Sequence, residues 1–148
     1  MKIDLDLDPS LEDFCSYLLA NGFWLADARL SESFRSRSVT LKDKRISLRF
    51  AAGRDDWWGE LAIGRYPADS DWYGLPVVAH LILDEEPSLE SHLGISDQVT
   101  FLQHNLDEIY AAVSKGRRDE TAADLARLEA SRRELMNDRL FGGSSAGS

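Results

Sequence analysis

The chain has 148 residues, 43% hydrophobic and 29% charged, with 17 basic against 26 acidic side chains and a net charge of −9. That length suits one domain with an ordinary core, the composition excludes a disordered chain, and the acidic balance disfavours nucleic acid and favours a basic partner. The single cysteine, Cys15, excludes an intramolecular disulfide and any cysteine-based zinc site.

The charge is uneven. Residues 117–139 hold six Arg and six Asp or Glu, which leaves 11 basic against 20 acidic residues elsewhere. The start MKIDLDLD has no charged-then-apolar signal region and no run reaches membrane-spanning length, so a cytoplasmic location without membrane contact is expected.

Ile3, Leu5 and Leu7 alternate with Asp4, Asp6 and Asp8, the pattern of a short edge strand with solvated carboxylates. Ser10 as N-cap with Asp13 three residues on predicts a first helix. Leu11, Phe14, Cys15, Leu18 and Leu19 form its buried stripe, and Asn21-Gly22 ends it. On that stripe Cys15 is expected to be a buried, inert thiol.

Residues 23–28 and 34–41 read as two strands. In the second, Arg35, Arg37, Val39 and Leu41 share one side while Phe34, Ser36, Ser38 and Thr40 share the other, and the pattern alone does not say which side faces inward. Over 45–63 the period of two is clear. Ile46, Leu48 and Phe50 alternate with Arg45, Ser47 and Arg49; Gly53, Asp55 and Asp56 mark a turn; Trp57, Leu61 and Ile63 then oppose Trp58, Glu60 and Ala62. Trp58 therefore shares a sheet face with Arg45 and Arg49. That face is either a contact surface or is covered by a helix, with Trp58 as a second core residue.

Residues 64–74 (GRYPADSDWYG) read as a loop. Leu75, Val78, Ala79 and Ile82 predict a helix over 75–83, opened by Pro76, before an acidic break at 84–90. Ser96 is placed as the cap of a longer helix carrying Val99, Leu102, Leu106, Ile109, Tyr110 and Val113, closed by Lys115-Gly116. A final helix over 118–140 carries Leu125, Leu128 and Leu135, with Arg132 interrupting the heptad, so a long coiled coil is not expected. That leucine stripe packs either on the domain or on a second copy as an oligomerisation surface. Residues 142–148 (GGSSAGS) read as a flexible tail. The expected architecture is one α+β domain over 1–141: an N-terminal helix, an antiparallel meander of about four strands, then two or three C-terminal helices packed on the sheet.

Chemistry is sparse. His80 with Asp84, and His104 with Glu108, stand at helical i, i+4 spacing with His92 between, but no HExxH-type constellation accompanies them, and no metal or other cofactor is expected. Arg35, Arg37, Arg45 and Arg49 could gather as an anion site on one sheet face. There is no G-x-S-x-G motif and no phosphate-binding glycine loop, and the Asp55-Asp56 and Asp69/Asp71 pairs sit in turns without an apolar pocket. No catalytic residue is assigned and a non-enzymatic protein is expected. What stands out is a band of acids and aromatics: Asp55, Asp56, Trp58, Asp69, Asp71, Trp72 and Tyr73 are the candidate partner-binding residues. The competing view makes Trp57 and Trp72 core plugs and leaves the aspartates to shape turns.

The helix ending N-G-F, the segment D-D-W-W-G-E-L-A-I-G at 55–64 and D-W-Y-G-L at 71–75, followed by terminal helices, resemble small acidic bacterial α+β proteins, some of which accompany toxins as immunity proteins. The resemblance covers roughly residues 11–114. It implies a non-enzymatic protein that blocks a basic toxin or nuclease by docking on it. The alternatives are an oligomeric accessory or scaffold subunit of a bacterial defence system, assembling through the C-terminal helices, and a small enzyme or metal- or ligand-binding domain.

Overall fold

A computed structural model describes residues 9–31, 36–52, 57–64, 66–68, 71–83 and 94–137. Helix α1 (Pro9–Ala20) buries Leu11, Phe14, Cys15 and Leu18, the stripe its spacing predicts. It stops at Gly22, whose φ of +96° suits glycine, and the carbonyl of Leu18 accepts the N–H groups of both Asn21 and Phe23 at 3.0 Å. Burial, with the nearby Glu12 carboxylate, pushes the Cys15 thiol up to about 12, so it stays protonated and unreactive. Ser10 lies inside the helix rather than at its cap, and its Oγ is 3.3 Å from that of Ser96.

Strands β1 (Trp24–Ser31), β2 (Ser36–Lys42), β3 (Ile46–Ala52), β4 (Trp57–Ile63) and β5 (Tyr73–Gly74) form one antiparallel sheet in chain order. The meander therefore has a fifth strand, of two residues, inside the segment expected to be loop. Cross-strand register settles the inward face of β2: Val39 lies opposite Phe50, and Leu41 opposite Leu48. Phe50 in turn faces Gly59 and Leu48 faces Leu61, which aligns one continuous apolar face. Helices α1 and α3 (Ile95–Ala112) cover that face.

Helix α2 (Leu75–Leu83) follows β5 directly and is buried at six consecutive positions from Leu75 to His80, because the sheet edge, α3 and α4 (Arg118–Asn137) surround it. The tightest approach is at Gly59, where a Cβ would lie 2.4 Å from Leu75 Cδ1 and 3.0 Å from Phe50 Cε1. Beyond the short β5, the Gly59 N–H is accepted by the buried Gln98 of α3 at 2.8 Å. Helix α3 starts after Gly94, two residues before the expected Ser96 cap, and departs from helical geometry at Asn105, whose amide donates to the Phe101 carbonyl.

The other end of α3 is tied to the β2–β3 turn. Asp43 Oδ1 accepts the N–H groups of Arg45 and Ile46, while its Oδ2 accepts the Tyr110 hydroxyl at 2.6 Å. The Arg45 guanidinium lies 3.4 Å from the centre of the Tyr110 ring. Thr121 joins α4 to the end of α3 by donating to the Ala112 carbonyl at 2.6 Å. Leu125 and Leu128 are buried against the chain's own core, which corrects their expected role in oligomerisation; the side chain of Leu135 lies outside the described set. No described helix is long and apolar enough to cross a membrane.

Candidate protein-docking surface

Alternation along β3 and β4 places Ser47, Arg49 and Ala51 opposite Ala62, Glu60 and Trp58 on the outer sheet face, away from α1 and α3. Among the described residues no helix covers this face. Part of it lies under the segment between β4 and β5: Ser47 and Ala62 are fully buried, Thr40 nearly so, and Ser47 Oγ donates to the Gly64 carbonyl at 2.8 Å. Tyr66 reaches the β2 residue Lys42, 5.8 Å from its ring centre, and Trp72 lies under the Arg49 guanidinium at 4.2 Å.

Among the described residues the remainder is open. Register sets Arg29, Ser38, Ala51 and Trp58 side by side across four strands. The two small side chains form the floor between the long ones, and an open trough of about 590 Å³ lies there, reaching round the strand ends to Leu30 and Arg37. The neighbouring row is charged, with Asp27, Thr40, Arg49 and Glu60 in lateral succession.

Glu60 organises the boundary between the two rows. Its Oε2 accepts from Arg49 at 2.7 Å and its Oε1 from the Trp58 indole N–H at 3.2 Å. Trp58 is 45% exposed, and that bond ties its indole to Glu60. Trp72, Arg49, Glu60 and Trp58 thus form a continuous chain of contacts. The arrangement offers exposed aromatic area beside a charged pair.

The sequence-predicted residues divide accordingly. Trp58 and Trp72 come together through Arg49 and Glu60, and Asp71 is exposed nearby, accepting the Ala68 N–H at 3.1 Å. Tyr73 does not join them. It sits opposite Leu61 and packs against the core, where burial first, then the Asp71 and Glu129 carboxylates, raise its hydroxyl above the ordinary tyrosine value. Asp55, Asp56 and Asp69 lie outside the described residues. Trp57 is a core residue with Arg37 5.0 Å from its ring centre.

The arginine cluster weighed as a possible anion site does not assemble among the described residues. Arg37 turns to Trp57, Arg45 to Tyr110 and Arg49 to Glu60 and Trp72, while Arg35 lies outside the described residues. His80 is buried, His104 and Glu108 are exposed, His92 and Asp84 are outside the description, and no described group of three such side chains could hold a metal ion. Sequence reasoning missed Trp24 and Tyr66, 40% and 87% exposed. Trp24 was legible, since its parity opposes that of the inward Leu25; Tyr66 carries no periodic signal.

The chain matches no known protein family, no curated protein and no solved structure.

Proposed function

We propose that this chain is a non-enzymatic protein-binding module of the immunity or inhibitor type, acting in the bacterial cytoplasm by docking on a basic protein such as a toxin or nuclease. The observation that carries the reading is Trp58, half exposed on the uncovered sheet face and hydrogen-bonded to Glu60. An indole hydrogen-bonded in this way, beside the Arg49–Glu60 pair and the exposed Asp71, has the make-up of an interface anchor with a polar rim. The net charge of −9 supports a basic partner, because it steers such a protein toward encounter.

The test uses the protein encoded by the neighbouring reading frame as the titrant in calorimetry. Binding is expected to weaken as salt rises, and Trp58→Ala to weaken it by roughly tenfold or more without unfolding the chain. Affinity that is unchanged in both Trp58→Ala and Trp72→Ala, or that does not respond to salt, overturns the reading.

A further inference from the structure

The sheet has two edges, and among the described residues only one is closed by the chain itself. At the β4–β5 edge the Gly59 and Gly74 N–H groups are accepted by Gln98 and Glu129. At the other edge lies β1, eight residues long, and among the described residues no strand pairs with its outer side. Such an edge exposes a row of backbone donors and acceptors that can extend the sheet. Of the six large apolar side chains exposed among the described residues, Tyr17, Trp24 and Leu30 lie on α1 and β1.

We propose that this edge pairs with β1 of a second copy of the chain, antiparallel about a two-fold axis through Ala28. The charges choose the register. Asp27 and Arg29 point to the same face, joined by an ion pair at 2.7 Å, with side chains 43% and 79% exposed. With Ala28 opposite its own copy, each Asp27 lies directly across from the partner's Arg29, giving two opposite-charge pairs on one face. Centring the axis on Asp27 or on Arg29 sets like charges face to face instead. The irregularity between Leu25 and Asp27 interrupts the ladder at that end and confines regular pairing to the centre of the strand. The two five-stranded sheets then form one continuous sheet, with Ala28 at the crossing point.

Sedimentation velocity over a concentration series tests this with the full chain. A reversible dimer is expected. Asp27→Arg and Arg29→Asp should each raise its dissociation constant by roughly tenfold or more, because each replaces two attractive cross-strand pairs with two repulsive ones. The double exchange D27R/R29D should restore dimerisation to near the starting value, and Trp58→Ala should leave it unaltered. A monomer at every concentration, a dimer indifferent to the single changes, or a failure of the double exchange to restore it overturns the proposal. Hydrogen exchange on the unmodified chain supplies a readout that needs no variant to fold. Protection of β1 amides must rise with concentration; protection already complete in the monomer means that another segment of the same chain occupies the edge, and the proposal fails.

Discussion

The two edges of this sheet are finished by different means. The β4–β5 edge is closed by residues far away in sequence: Gln98 stands 39 positions from the Gly59 it caps, and Glu129 stands 55 from Gly74. Closure there is a tertiary event, and α3 and α4 are the elements that end the sheet. Among the described residues the β1 edge carries only local devices, a break in register after Leu25 and the Asp27–Arg29 ion pair. An exposed pair of that kind contributes little to stability. One edge is therefore part of the folding unit, and the other is a surface whose changes leave the core intact.

The strongest way to break this contrast is to force the closed edge open. Gly59→Val places branched carbon where a single Cβ already meets Leu75 Cδ1 at 2.4 Å, and Leu75 is fully buried. Overpacking there should cost about 3 kcal/mol, lowering the melting temperature by roughly 6 to 12 °C for a chain of this size. A Gly59→Val melt equal to that of the unmodified chain contradicts the close approach of α2 to β4. Next comes Gln98→Met, which keeps the side-chain length and removes the acceptor. It strands a buried N–H at a cost of about 2 kcal/mol, read as a shift of the urea midpoint with unchanged slope.

The other anchor of α3 titrates, so pH sharpens the comparison. Burial, then the hydrogen bond to Asp43, raises the Tyr110 hydroxyl well above its ordinary value, outweighing Arg45. A raised acid binds its proton more tightly in the folded state than in the unfolded one. Its contribution is therefore complete below the unfolded tyrosine value of about 10 and is lost as pH rises above it. Cys15, pushed up to about 12, acts in the same direction from its lower starting point. Thermal melts should be flat near neutrality and fall progressively in strong alkali. In Tyr110→Phe that fall should be shallower, with about 1 kcal/mol lost at neutral pH from the missing bond to Asp43. An alkaline profile identical in Tyr110→Phe would remove Tyr110 as its source.

How much of this was legible in sequence depended on whether the signal was local. The period of two over Ile46–Ala52 and Trp57–Ile63 gave the correct inward set, since alternation follows from strand geometry alone. The α1 stripe was legible for the same reason. β5 was not, because two residues carry no period and pair only once β4 is in place. The end of α3 was misplaced by two residues because Gly94, which makes no side-chain cap bond, precedes the better-looking Ser96. Parity put Arg45 and Arg49 on one face but could not tell that a long arginine at a turn would swing to Tyr110, 65 positions on. For the site, parity placed Trp58 outward; that Trp72 would lie against Arg49 had no signal in the intervening loop.

The smallest expected change in stability is the one most tied to function. Trp58→Ala removes an indole that donates to Glu60 and lies opposite Ala51 across the strands, and it leaves the Arg49–Glu60 ion pair in place. Its cost to folding should be no more than about 1 kcal/mol. If the outer face docks on a partner as proposed, the same change should abolish most of that binding, because an interface anchor exerts its effect through burial against the partner rather than within the free chain. The decisive quantity is therefore the ratio of the two losses. If Trp58→Ala weakens binding tenfold while Gly59→Val leaves the affinity of the folded fraction unchanged, docking and sheet closure are separate properties of opposite sides of β4. A Trp58→Ala variant that unfolds as readily as Gly59→Val would instead make the indole part of the core and remove the basis for assigning it to a partner.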